Sequence, residues 1–242
     1  VNDLLLQVVL AVIPAILAIT LHEAAHGYAA LALGDDTARR AGRLSLNPLR
    51  HVDRNGTILL PGFLLIAQLI TIHRVEFMFG WAKPVPIGAW KFRNPRGGMA
   101  IVAAAGPAAN FFLAWLAGLA LFLVPGDPVG VGGIVQQLLV NFILFNLVLG
   151  LFNLLPIPPL DGGRIVVGIL PEALAVRWAR MERAGILIVL LGVFLLPTLA
   201  REFGYNFDPF RQALGAVLPW ALRMVLFLSG HAIDAGTDGS YV

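Results

Sequence analysis

Uncharged, mostly apolar runs alternate along this chain with short basic stretches. Leu4–Leu21 carries no charge, and its pattern continues as one helix to about Leu33, where Gly34-Asp35-Asp36 stops it. A second uncharged stretch, Asn55–Ile72, is broken early by Pro61-Gly62. Gly97–Gly126 and Pro128–Leu160 are long runs separated by the turn "PGDPVG". Ala184–Ala200 is a fifth run, and Gln212–Gly230, with Pro219 and Arg223 inside it, is a weaker sixth. Hydrocarbon about 30 Å thick needs roughly 20 residues of helix. The runs at 4–33, 97–126 and 130–155 are therefore expected to span a membrane. The pattern predicts an all-α polytopic membrane protein with about five to six transmembrane helices and a re-entrant, partly extended segment around 57–90. With no internal repeat and only short connections, residues 1–242 read as a single integral membrane domain: a core over 4–170, then C-terminal helices over 171–230.

Composition agrees. Of the 242 residues, 58% are hydrophobic and 13% charged, with mean hydropathy +0.82, whereas a soluble domain is about a quarter charged. The net charge of +3 does not indicate nucleic acid, because the basic residues lie between apolar runs, where membrane topology accounts for them. There is no cysteine, which excludes disulfides, thiolate metal sites and cysteine nucleophiles. His, Asp and Glu remain as metal ligands. The first run lacks a basic leader and an A-x-A exit, so it reads as mature structure rather than a signal peptide.

Chemistry enters at "LHEAAHGYAA", residues 21–30. Ionisable side chains at membrane depth are costly and point to function. His22 and His26 lie one turn apart on the same helix face and can reach a single Zn²⁺. Glu23, beside the first ligand, is placed to act as a general base. The alternative is a pair of interfacial histidines bridging to water or backbone.

A catalytic zinc needs a third protein ligand and an open position. Ala29 and Ala32 occupy the places a zincin extension would use, so that ligand must be distant. His51, His73 and His231 sit in polar flanks. Asp161 ends the apolar run in "NLLPIPPLDGGR", residues 153–164, where Pro156, Pro158 and Pro159 prevent a regular helix beside the carboxylate. It is the better candidate. Its other reading is a cap for the short helix "GGRIVVGIL".

Together, HEAAH on a first span, "AAAGPAANFFLA" (103–114) and "NLLPIPPLDGG" (153–163) resemble the site-2 protease family of intramembrane zinc metalloproteases, peptidase family M50. The match covers most of residues 4–170, while 171–242 match loosely. "FGWAKPVPIGAWKFRNPRGG" (79–98) resembles the small, compact branch without PDZ domains. The resemblance implies that His22, His26 and Asp161 hold one Zn²⁺ per chain and that Glu23 is the general base. It implies that Asn153 steadies the substrate or the oxyanion and that Pro159 belongs to an unwound substrate-binding segment. It also implies a single-pass transmembrane protein or peptide as substrate, in the lipid bilayer of a prokaryotic cell membrane, with no nucleic acid involved. One departure is that no span precedes the HEAAH helix, as one does in some relatives.

A shared metal requires the C-terminal end of the HEAAH helix and the segment before Asp161 to meet near one face. Residues 55–96 must then make an even number of crossings: either 57–73 dips in and returns, or it crosses and "WAKPVPI" comes back. Under this topology 14 of the 17 Lys and Arg lie on one face, which the positive-inside rule makes cytoplasmic. The metal would sit in the cytoplasmic half. Removing Trp81 and its flanking prolines, read as an edge for an extended substrate, would impair cleavage without removing zinc. The competing classes are a non-proteolytic metal or ion transporter, a binding scaffold and a structural zinc site. A transporter would show two related halves, and only one broken segment is found. "RWARMERAG" (177–185) reads as the basic flank of the next span. Asn110 in "GPAAN" either lines the site or, with Gly106 and Ala109, serves close helix packing.

Overall fold

Each long apolar run forms a helix in the structure, a computed structural model that describes residues 2–71, 73, 80–124 and 130–231. Helix α1 covers Asn2–Ala32, α2 is a single turn at Thr37–Arg40, and α3 (Leu60–Thr71) continues a π turn at Arg54–Leu59. Then follow α4 (Pro95–Ala120) and α5 (Val131–Asn153). Four short helices come next: α6 (Asp161–Ile169), α7 (Glu172–Arg180), α8 (Glu182–Leu190) and α9 (Leu196–Glu202). Helix α10 (Pro209–Leu228) ends the described helices. No strand occurs among the described residues.

Among the described residues, five helical stretches are long and apolar enough to cross a membrane: Leu5–Ala32, Arg54–Thr71, Pro95–Leu123, Val131–Asn153 and Pro209–Leu228. The stretch at 54–71 stays helical through Pro61-Gly62: the π turn at Arg54–Leu59 runs directly into α3, and the Gly56 carbonyl within that turn accepts the Trp81 N–H. The weaker sixth run is a continuous helix despite Pro219. The run at 184–200 is helical too, but a π turn at Leu191–Leu195 divides it into α8 and α9. Arg74 and most of the "PGDPVG" turn lie outside the described residues.

Helix α4 lies at the centre, packed against α1, α5, α6 and α10. Its start is well defined: Asn94 accepts a hydrogen bond from the Gly97 N–H and Pro95 takes the first position. Side-chain bonds fix its direction. His26 reaches Val102 O and Asn110 reaches Ala18 O, so α1 and α4 are antiparallel. Asn141 of α5 donates to Leu10 O at 2.9 Å, near the opposite end of α1. Helices α1 and α5 therefore run parallel, and their C-terminal ends share one side, as a common metal requires. The apolar core joins Ala114 and Ala117 of α4, Ile143 and Leu147 of α5, and Ala221 and Val225 of α10.

The segment after α3 returns to where that helix began. Trp81 N–H donates to Gly56 O at 3.1 Å, and Thr57 Oγ1 donates to Trp81 O at 2.9 Å. Whatever path 57–80 takes, it comes back to its own side, which meets the even-crossing condition. From there residues 80–88 run without regular structure past the C-terminal half of α1; this segment is called the strap below. Partly buried Arg96, at the start of α4, donates to Val167 O at 3.2–3.3 Å and also to Leu170 O. It ties α4 to the C-terminal end of α6, the helix that Asp161 begins. Hydrogen bonds from a charged donor contribute about 1.5–3 kcal/mol each before solvent screening. Arg96→Ala is expected to destabilise the fold by about 1–3 kcal/mol, read from equilibrium denaturation in detergent. An unchanged midpoint would contradict this tie.

Candidate metal centre

His22 and His26 lie on α1 about 15 Å and 9 Å of helical rise before its end. Helix α5 stops at Asn153, and Leu154–Leu160 connect to α6 without helix, as the three prolines dictate. Asp161, the first residue of α6, is delivered by this unwound stretch to the two histidines. His22 Nε2 lies 3.1 Å from Asp161 Oδ2, His26 Nε2 lies 3.3 Å from the same oxygen, and the two Nε2 atoms are 3.1 Å apart. All three residues are buried. Among the described residues they form the one group of three or more His, Asp or Glu able to hold a metal ion.

Hydrogen-bond polarity decides what this triangle offers. Asn146 Nδ2 donates to Phe142 O, a group that can only accept, so its Oδ1 must face the other way. That Oδ1 accepts from Asn110 Nδ2 at 2.8 Å, which turns Asn110 Oδ1 toward His22 Nδ1 at 2.6 Å. His22 must then carry its proton on Nδ1. His26 Nδ1 faces Val102 O at 2.7 Å and is likewise protonated there. As neutral imidazoles both then present Nε2 lone pairs toward Asp161 Oδ2, 3.1 and 3.3 Å away. Three buried acceptors this close repel one another unless a cation lies between them. Tetrahedral zinc with bonds of about 2.0–2.1 Å holds its ligand atoms about 3.3 Å apart. Two imidazoles and one carboxylate are also a known catalytic zinc set. The residues fit the ion.

Comparison with known proteins gives the same reading. A family model described as Peptidase family M50 matches residues 129–199. A protein of Bacillus subtilis (strain 168) named "Putative zinc metalloprotease YwhC" is 39% identical over 190 residues, covering 77% of this chain and 80% of that protein. The chain belongs to peptidase family M50. No solved structure matches it. Membership makes the chain a zinc metalloprotease and removes the transporter and scaffold alternatives.

In this M50 peptidase the triad borders a cavity of about 250 Å³. Glu23, Asn153, Pro159 and Arg164 line it, together with strap residues Trp81, Ala82, Pro84, Val85 and Ile87. Every site residue expected from the sequence therefore borders one space. Glu23 Oε2 accepts the Val85 N–H at 3.2 Å. Asn153 turns one amide N–H to Leu149 O of its own helix at 3.0 Å. Asp161 makes no capping bond at the start of α6, so capping does not account for it. The other histidines stay apart. His51 is buried and bonded to Ser45 O, His73 is exposed, and His231 stacks on Phe122.

One residue escapes a sequence reading, and two more were left between site and packing. Asn146 looks like one more polar residue in an apolar span; its position across from Asn110 depends on the register of α4 and α5. Asn110, left open between site and packing, is tied to His22. Gly106, one turn before it, admits the rings: a Cβ there would lie 2.5 Å from His26 Cε1 and 2.6 Å from His22 Cε1. The strap also differs from a free strand edge. The N–H groups of Trp81, Lys83, Val85 and Gly88 are bonded within the protein, and Pro84 and Pro86 have none.

Outer-shell partners of metal-bound histidines typically govern 10–100-fold in affinity. Asn110→Leu is expected to weaken zinc binding by about that factor, and Asn146→Leu in the same direction by less. Chelator competition on the purified protein measures both. Unchanged affinity in Asn110→Leu would remove the asparagines from the metal site. Gly106→Val should abolish binding outright, because the rings have no room to retreat.

Proposed function

We propose that this M50 peptidase hydrolyses peptide bonds within or next to the transmembrane segments of membrane proteins, with His22, His26 and Asp161 holding one zinc ion and Glu23 as general base. The observation that carries this reading is the convergence of two buried imidazole nitrogens and a buried carboxylate oxygen beside Glu23 in one cavity. Zinc bound there would polarise the scissile carbonyl and bring the pKa of a water toward about 7.

The chain's own groups account for the remaining work. Glu23 accepts a proton from the attacking water at its carboxylate and returns it to the leaving amine. The Val85 N–H fixes one oxygen of that carboxylate, leaving the other for the proton. Asn153, at the frayed end of α5, has a second amide N–H to offer the substrate carbonyl as it gains negative charge. A substrate helix hides its carbonyls in its own hydrogen bonds, so it must unwind before attack. Pro159 and the strap wall shape the space for an extended segment. With the N–H groups of Trp81, Lys83, Val85 and Gly88 engaged and none at Pro84 or Pro86, the strap would hold that segment chiefly through its carbonyls.

The placement of the site follows from charge. Arg40, Lys91 and Arg43 cluster beyond the C-terminal end of α1, bonded to Asp36 and to Lys83 O. Arg164 pairs with Glu182 near Asp161. A basic face of this kind faces the cytoplasm in a cell membrane, which supports a metal in the cytoplasmic half. The substrate is then a membrane protein, single-pass for preference, whose cleavage releases a fragment on that side.

Glu23→Gln keeps the shape of the side chain and removes the base. Reconstituted in proteoliposomes with a labelled single-span reporter, it is expected to retain zinc and lose at least about 10²-fold in cleavage rate. Cleavage near the wild-type rate would refute the general-base role, and loss of zinc would show that Glu23 serves the metal instead.

A further inference from the structure

Asp35 is a carboxylate that the chemistry above does not use, yet it is 1% exposed. It follows Gly34, whose φ of +95° turns the chain back at the end of α1, and its N–H bonds to Ala30 O. Its oxygens are saturated. Oδ1 accepts from Thr37 N–H at 3.0 Å and from the Thr37 hydroxyl, and lies 3.2 Å from Lys91 Nζ. Oδ2 accepts the Gly88 N–H at 2.6 Å. Burial pushes this carboxyl up, but the bonds from Thr37, Gly88 and Lys91 outweigh it and hold Asp35 below the usual carboxylate range. It is ionised at neutral pH and grips both ends of a short span of chain, Gly88 and Lys91.

That span is the end of the strap. Three residues before Gly88, the Val85 N–H reaches Glu23, and the Val85 side chain is buried. Pro84 and Pro86 flank Val85 and restrict its backbone on both sides. Little freedom remains between the grip at Gly88 and the bond at Val85. At the far end the strap is held by backbone bonds from Trp81 to Gly56 and from Lys83 to His51.

We propose that Asp35 is the positioning residue for Glu23, anchoring the strap at Gly88 and Lys91 so that the Val85 N–H holds the Glu23 carboxylate in its catalytic orientation. The inference rests on the role given to Glu23 above. Glu23 sits on α1 with a flexible side chain whose charged end must be fixed to act as a base. Helix α1 supplies no group for this, and the strap supplies one through its backbone. An anchor beyond the C-terminal end of α1, twelve residues after Glu23 in the chain, thus controls the reacting group without touching it. Lys91 contributes less than Asp35, because the Gly88 bond survives its loss.

The absence of native cysteine makes a single introduced thiol a clean reporter. Val85→Cys, buried under the strap, is expected to react slowly with a maleimide in the otherwise native protein. It should react about tenfold faster or more once Asp35→Ala or the isosteric Asp35→Asn releases the anchor. Zinc content should stay the same, and a control thiol at core residue Ala114 should stay protected in both backgrounds. On the proteoliposome reporter, Asp35→Ala and Val85→Pro, which deletes the N–H to Glu23, should each lower kcat by about tenfold or more. Because both act through the same bond, the double variant should cleave at nearly the rate of Val85→Pro alone.

Unchanged labelling at residue 85 in both Asp35 variants would overturn the proposal. So would multiplying losses in the double variant, or labelling at Ala114→Cys, which would make Asp35 a general fold residue. A native protein that holds zinc and cleaves nothing would count against the protease reading, and the labelling would still decide the anchor.

Discussion

Three lone pairs aimed at one point govern this molecule. Two imidazole nitrogens and a carboxylate oxygen within 3.1–3.3 Å of one another, buried in a helix bundle, can share a metal cation when it lies among them and when every proton is kept elsewhere. The second condition extends the site well beyond its ligands. A backbone carbonyl at Phe142 orients Asn146, Asn146 orients Asn110, and Asn110 sets the tautomer of His22. Three helices are thereby locked in register by the needs of one nitrogen. In a bilayer, where apolar side chains gain little by leaving lipid for each other, such buried polar contacts and close packing of small residues carry much of helix association. Asn110 and Asn146, both fully buried, serve the metal and the bundle together.

The arrangement of the helices follows from bringing α1 and the end of α5 to the same side. Helix α4 runs antiparallel between them and presents Val102 O, Gly106 and Asn110 along one face, each in contact with a histidine or, at Gly106, leaving room for both. The proline-broken stretch 154–160 gives up helical hydrogen bonds at depth. That loss is tolerable where irregular backbone lines a protein cavity rather than lipid. The strap is a second piece of irregular backbone on the same cavity, and it carries the one N–H seen to reach Glu23. Ligands thus come from helices and an unwound segment, while the groups that steer them come from the central helix and the strap.

Much of this was legible in the sequence because it is local. His22, Glu23 and His26 lie within five residues, so a helical period places them without tertiary knowledge. Asp161 stands out against its prolines, and the apolar runs mark their own helices by length. The even number of crossings between α1 and α4 followed from requiring one metal, and the bond from Trp81 to Gly56 meets it. What could not be read depends on contacts between distant segments. Nothing local separates Asn146 from Asn141, yet the first faces Asn110 and the second bonds the far end of α1. The strap's prolines suggested an edge for substrate; that the N–H groups at Trp81, Lys83, Val85 and Gly88 are spent within the protein could not be read from them. Pro61 looked like a break, yet the helix at 54–71 runs through it. The run at 184–200 was read as one span; it is helical throughout, with a π turn at Leu191–Leu195 for which its apolar composition gives no signal.

The central claim is that Asp161, 135 residues beyond His26 in the chain, completes a zinc site with the HEAAH helix. The direct test is zinc stoichiometry by elemental analysis on purified protein, native against Asp161→Ala. The account predicts about one zinc per native chain, with the carboxylate as third ligand, and marked loss in the variant. Equal zinc in the two proteins would contradict it. So would a native protein that takes up none on reconstitution, since three converging acceptors would then have no cation to hold them together.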